Sequence, residues 1–135
     1  MEENTVGPAH ITLATRDVEQ SAAFFGDVLG WQRVARPGNI GVAAAWLEIS
    51  PGCELHLVVD PDFEPSRFER EFGRHIAITW PREGFPELKQ RLGAHGGTLI
   101  EPIRETPFAR FFFRDPNGYV FEVVEENHIE PRPIA

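Results

Sequence analysis

Four side chains able to bind a divalent metal recur in this 135-residue chain at nearly constant spacing. His10 opens the stretch His-Ile-Thr-Leu, and His75 opens His-Ile-Ala-Ile-Thr 65 residues later. His56 and Glu122 keep almost the same separation, 66 residues. Imidazole nitrogen and carboxylate oxygen are common donors to divalent ions, and three such donors with open positions are what catalysis at a metal needs. A repeat that preserves a metal-capable residue at both its first and its last strand reads as a site built by pseudo-symmetry, with one divalent ion per site. Nitrogen-rich ligation suits Zn, Fe, Ni or Co, the carboxylate admits Mn as well, and the residues do not choose among them.

The elements that must position these residues follow from periodicity. Residues 8–15 form a strand with His10, Thr12 and Ala14 on one face and Ile11 and Leu13 on the other. Asp17, with Gln20 three residues on, is a capping-box start. Val18, Ala22, Phe25 and Leu29 give the apolar stripe of a helix that ends at Gly30. A short strand near 32–35 precedes the loop Pro37-Gly38-Asn39, and strands at 42–49 and 53–59 flank the turn Ser50-Pro51-Gly52.

Residues 60–72, charged and broken by Pro61 and Pro65, read as a connector wrapping the surface. The order then repeats. A strand at 74–80 carries His75, Ala77 and Thr79 on one face, and a helix at 84–92 with the stripe Phe85, Leu88, Leu92 stops at Gly93. Strands at 98–102 and 108–114 lead to the turn Asp115-Pro116-Asn117-Gly118 and a last strand at 119–125. The expectation is an α+β fold: one domain, 1–135, with βαβββ modules at 8–59 and 73–125. Residues 126–135 read as a tail, or an arm on a partner subunit.

A net charge of −8 argues against a nucleic-acid or anionic-membrane surface, because phosphate binding needs clustered Lys and Arg. It leaves an anionic substrate open, since a buried cation reverses the local field. The single cysteine, Cys53, allows no intrachain disulfide and fits a reducing compartment. With no signal peptide or membrane-length apolar run, a cytoplasmic protein is expected.

Strand parity sorts the candidates further. Glu122 shares a face with Val120 and Val124, where a carboxylate is costly unless paired or bound to metal. Glu48 shares a face with Trp46 and is either a base or a solvent-facing strand end. Arg110 either binds an anionic substrate group as a planar fork or pairs with an acidic residue. Trp46 and Phe112 are cleft walls or plain core, and Thr12 lies on the His10 face beside the substrate. A lone strand histidine is more often a hydrogen-bonded structural residue than a ligand, so it is the register of the repeat that carries the metal reading. His95, a turn residue, His128, in the tail, and Cys53 are given no role.

His10-Ile-Thr-Leu-Ala, Phe24-Phe25 through Val28-Leu29-Gly30-Trp31, His75-Ile-Ala-Ile, and Asp115-Pro116-Asn117-Gly118 followed by Glu122 together resemble the vicinal oxygen chelate superfamily. That superfamily includes glyoxalase I, extradiol dioxygenases, fosfomycin-modifying transferases, methylmalonyl-CoA epimerase and bleomycin-resistance proteins. The resemblance implies paired modules forming an open, metal-lined barrel, usually completed in a homodimer. It places His10, His75 and Glu122 at the most usual ligand positions. His56 stands where glyoxalase I tends to have Glu and the epimerases Gln, and Glu48 aligns with a base of the epimerase branch. In the dimer, His10 and His56 can come from one chain and His75 and Glu122 from the other.

Two departures lower the dioxygenase and fosfomycin branches. Phe112 lacks the hydroxyl of their tyrosine, and Glu105-Thr106-Pro107-Phe108-Ala109 does not match the potassium loop of the fosfomycin enzymes. The implied function is a metal-dependent, glyoxalase-like lyase or isomerase acting on a small oxygenated metabolite. The metal chelates two substrate oxygens, Glu122 acts as ligand and base, and Glu48 as a second base. The alternatives are a non-catalytic protein that sequesters a drug or metabolite, and an extradiol-type dioxygenase. No nucleic-acid or membrane partner is expected.

Overall fold

In the computed structural model, which describes residues 6–128 and 132–135, the first half runs β1 (His10–Thr15), α1 (Val18–Leu29), β2 (Gln32–Val34), β3 (Ala44–Ser50) and β4 (Cys53–Val59). The second half runs β5 (Ile76–Trp80), a 3-10 turn (Arg82–Gly84), α2 (Phe85–Ala94), β6 (Thr98–Ile100), β7 (Arg110–Arg114) and β8 (Val120–Glu125). This is βαβββ twice, an α+β fold with two four-stranded sheets. The chain divides into two compact units, Met1–Phe63 and Glu64–Ala135.

In the first unit the strand order is β1-β4-β3-β2, with β1 parallel to β4 and the other pairs antiparallel. Asp17 starts α1 as expected: its carboxylate accepts the Gln20 N–H at 3.0 Å, and Gly30 closes the helix with φ 75°. Val18, Ala22, Phe25, Val28 and Leu29 of α1 are buried, as are Leu13, Ala45, Leu47, Leu55 and Leu57 on one face of the sheet. Burying each large apolar side chain of this kind is worth roughly 1.5–3 kcal/mol. The other face is left to His10, Thr12, Trp46, Glu48, Glu54 and His56.

The second unit repeats the plan in the order β5-β8-β7-β6. The register is the same. Thr12 lies opposite His56 in the first unit, and Ala77 lies opposite Glu122 in the second. Phe85, Leu88 and Leu92 of α2 are buried with Phe111, Phe113, Phe121 and Val123. Phe85 meets Phe111 edge-on at 5.1 Å, and Phe113 stacks on Phe121 at 5.2 Å.

Helix α2 does not stop at Gly93. It continues to Ala94 because the hydrogen-bonding ladder holds, with the His95 N–H reaching the Arg91 carbonyl at 3.1 Å. The left-handed residue that ends it is Gly96, φ 87°, where the Gly97 N–H bonds back to the Leu92 carbonyl at 2.8 Å.

The connector runs over the surface for most of its length with Glu69 turned inward, and from Glu64 onward it belongs to the second unit. Glu69 is only 4% exposed, and Arg74 Nε donates to its carboxylate at 2.7 Å. A Cβ at Gly73 would fall 2.0 Å from the Phe68 carbonyl oxygen, so this turn admits only glycine. Of the expected tail, residues 129–131 lie outside the described residues. No helix among the described residues is long and apolar enough to cross a membrane.

Candidate metal centre

In the second unit β8 carries Glu122 between Val120 and Val124 on one face, opposite Ala77 of β5 and Phe112 of β7. The residue is 9% exposed. Its Oε1 lies 3.3 Å from His75 Nε2, and its Oε2 accepts a hydrogen bond from Arg110 Nη1 at 2.9 Å. His75 precedes β5, and its Nδ1 sits 3.2 Å from the Arg70 carbonyl oxygen. A carbonyl can only accept, so Nδ1 is the donor there. In the neutral ring Nε2 then turns a lone pair toward Glu122. Two acceptors 3.3 Å apart need a proton or a cation between them. The separation suits a shared ion, since two donors at about 2.1 Å from one metal stand roughly 3–3.5 Å apart. Metal-binding histidines also commonly donate their second N–H to a backbone carbonyl.

Arg110 is not free to act as the substrate-binding fork. Its side chain is 3% exposed, and Nη1 goes to Glu122 while Nη2 goes to Glu71 at 3.0 Å and to the Arg104 carbonyl. The acidic-pair reading is the one the structure has. Glu71, 8% exposed in its side chain, accepts the N–H groups of Ile103 at 2.6 Å and Arg104 at 3.0 Å. Burial works to raise its pKa, but these two backbone donors and the Arg110 guanidinium outweigh it and hold the group down to about 2. Two carboxylates thus flank one guanidinium, and the cluster keeps a negative excess on the side that faces His75. Phe112 is buried and meets the His75 ring edge-on at 5.2 Å, so it supports that ring rather than walling a cleft.

In the first unit the equivalent face holds a stack of rings. His56 lies between Trp46, at 3.7 Å and 9°, and His10, at 4.1 Å and 17°. Its Nε2 is 2.8 Å from Glu54 Oε1. Imidazole lone pairs lie in the ring plane, so two near-parallel rings 4.1 Å apart cannot both direct one at the same ion. This arrangement does not bring His10 and His56 together as co-ligands. Trp46 serves as a stacking partner. Glu48 is exposed, opposite Glu54 on β4 and Gln32 on β2. Thr12 is exposed, opposite His56. Cys53 begins β4, and His95 caps α2 at the surface.

Among the described residues, no group of three or more His, Cys, Asp or Glu side chains could hold a metal ion. His75 and Glu122 converge as a pair. Two surface depressions do not include them: one of about 670 Å³ beside α1 and β2, and one of about 510 Å³ around the 101–106 loop. Sequence reasoning missed Glu54 and Glu71 as partners. Glu54 had a signal, two residues from His56 on the same strand face. Glu71 had none, because it sits in a segment without periodicity.

The chain belongs to the Glyoxalase/Bleomycin resistance protein/Dioxygenase superfamily, which it matches over residues 7–123. It is 26% identical to Glyoxylase I 4 of Arabidopsis thaliana over 155 aligned positions, covering 100% of this chain and 83% of the relative. It is 31% identical to the glutathione transferase FosA of Serratia marcescens over 118 positions, covering 84% of this chain and 77% of FosA. The fold also matches the E126Q mutant of the Listeria monocytogenes fosfomycin resistance protein FosX, solved with Mn(II) and 1S,2S-dihydroxypropylphosphonic acid. There the TM-score is 0.71 at 21% identity, over 90% of each chain.

Proposed function

We propose that this protein is a homodimeric, cytoplasmic, metal-dependent enzyme of the lyase or isomerase kind, acting on a small metabolite with two vicinal oxygens. One observation carries the reading: the facing acceptors His75 Nε2 and Glu122 Oε1, 3.3 Å apart beside a cluster with excess negative charge. His75 and Glu122 would hold the ion. The third donor, His10, and the proton acceptor, Glu48, lie in the other unit and rest on the repeat and the family resemblance alone. His56 we place beside His10 as its stacking partner, since its Nε2 already meets Glu54. A divalent ion held there would supply Lewis-acid polarisation of the substrate oxygens. Glu122 works through Oε1, because Arg110 occupies Oε2. Glu48, exposed and on the same sheet face as Trp46, takes the substrate proton.

The test combines metal analysis with solvent deuterium exchange into α-hydroxy acids, α-keto acids and thioesters. The expected result is about one ion per chain, lost in His75→Ala, and exchange that falls in Glu48→Gln with the metal retained. Full exchange in Glu48→Gln removes that residue and leaves a single-base reaction. Metal-free protein that binds a ligand tightly without exchange supports sequestration instead. Oxygen uptake with catechols supports the dioxygenase.

A further inference from the structure

We infer that Glu71 and Arg110 are positioning residues that hold Glu122 as a one-oxygen ligand; this rests on the metal reading of His75 and Glu122. The geometry runs in one direction. The backbone N–H groups of Ile103 and Arg104 fix the Glu71 carboxylate. Glu71 fixes Arg110 Nη2 at 3.0 Å, and the Arg104 carbonyl accepts from the same nitrogen. With that end held and the guanidinium 5.2 Å over the Phe112 ring, Arg110 Nη1 takes Glu122 Oε2 at 2.9 Å. Only Oε1 is left toward His75.

Arg110 has nowhere else to go. Its side chain is 3% exposed, and its Nε is buried with no hydrogen-bond partner among the described residues. That orphaned donor is a cost, which the two carboxylate contacts must offset for the side chain to stay in place. The planar fork matters because one guanidinium spans two carboxylates, which a lysine ammonium cannot do with the same reach. The chemical consequence concerns the substrate. A carboxylate that bound an ion through both oxygens would occupy a position that a substrate chelating through two oxygens needs. Pinning Oε2 keeps that position open. Glu71 lies 39 residues from Arg110, and Arg110 lies 12 from Glu122, so only the fold brings the three together.

The experiment titrates Co(II) alone into the full-length protein and reads its visible absorption and dissociation constant for wild type, Arg110→Lys, Arg110→Met, Glu71→Gln and His75→Ala. Wild type should bind, and His75→Ala should lose at least about a hundredfold in affinity. Arg110→Lys and Arg110→Met should both lower and shift the Co(II) band as Glu122 turns both oxygens to the ion, and should weaken binding by roughly ten- to a hundredfold. Glu71→Gln should move the band the same way by less. Circular dichroism checks that each variant is folded. If the Arg110 variants do not fold, the near-isosteric Glu71→Gln decides alone. Wild-type spectra and affinities in folded Arg110 and Glu71 variants, with binding still lost in His75→Ala, overturn the positioning role and leave the metal site standing. No Co(II) binding by wild type overturns the metal reading and this inference with it.

Discussion

The two units share an order of elements and a strand register, yet treat the same position in opposite ways. On β4 and β8 the residue opposite Thr12 or Ala77 is His56 in one unit and Glu122 in the other. His56 is packed between two rings, with its Nε2 turned to a glutamate that is itself partly exposed. Glu122 is buried, tethered by an arginine and aimed at a histidine nitrogen. Duplication therefore copies backbone geometry, which follows from periodicity, capping and register. It does not copy the charges around a position. The charge beside His56 is Glu54 on the same strand, whereas Glu122 meets Arg110 of the neighbouring strand β7 and, through it, Glu71 of the connector.

The largest effect expected from this contrast is in metal affinity. Glu122→Gln and His56→Gln alter the equivalent position in each unit. A ligand whose charge is removed should lose two or more orders of magnitude in affinity, whereas a stacked neighbour of a ligand should lose about tenfold or less. Isothermal titration with Zn(II) or Mn(II) measures both. Equal losses would restore His56 to the ligand set and show that its stack opens on binding.

Next comes the assembly. If each site joins the first unit of one chain to the second unit of its partner, mixing inactive His10→Ala with inactive Glu122→Ala protein should restore activity. Random exchange of subunits in a two-fold dimer returns about a quarter of the sites. Sites built within one chain return none. Sedimentation at micromolar concentration gives the dimer independently.

These effects mark where the sequence was sufficient. The order of elements, the Asp17 cap, the Gly30 stop and the faces of β1 and β8 were legible, because each depends on residues near in sequence. The approach of His75 to Glu122 was legible through the repeat. The fate of Arg110 was not: of its two readings, only the placement of Glu71, 39 residues away, selects the ion pair. The helix end at Gly96 rather than Gly93 was missed for a simpler reason. A glycine within a helix costs only about 1 kcal/mol, which the continuing ladder and the burial of Leu88 and Leu92 outweigh.

Within the second unit, two buried carboxylates should respond to pH with opposite sign. Glu71 is held down to about 2, so its contribution is present above the usual carboxylate pKa near 4.5 and is lost as pH falls toward 2. Replacing it by Gln leaves a backbone donor poorly matched, which should cost roughly 1–3 kcal/mol at pH 7 and little near pH 2. Asp115 is the reverse case. Burial pushes its carboxyl up to about 6, against the lowering effect of the Tyr119, Asn117 and Gly118 N–H groups, and the Glu69 charge adds to the rise. The folded state then binds the proton more tightly than the unfolded one, so this group's cost is full above pH 6 and relieved as pH falls toward 3.8. That is about 3 kcal/mol at most. Urea unfolding from pH 4 to 7.5 should show wild type gaining on Asp115→Asn as the pH is lowered. A pH-independent gap between the two would mean that Asp115 titrates at its ordinary value.

The smallest effect belongs to the first unit, and it sharpens the contrast in how the two halves hold charge. Arg33 meets Glu19 through both guanidinium nitrogens, at 2.6 and 3.0 Å. On distance alone this pair matches the Arg110 contacts. But its side chains are 48% and 75% exposed, against 3% and 12% for Arg110 and Glu122. Water and salt screen the exposed pair, and holding two long side chains in one geometry costs entropy that cancels most of what remains. Glu19→Gln should therefore lower the melting temperature by less than about 2 °C, and 0.5 M salt should remove even that difference. The Glu71→Gln loss, shielded from solvent, should survive the same salt. If the two variants respond alike to salt, burial is not what separates these ion pairs, and the distinction drawn between the two units fails.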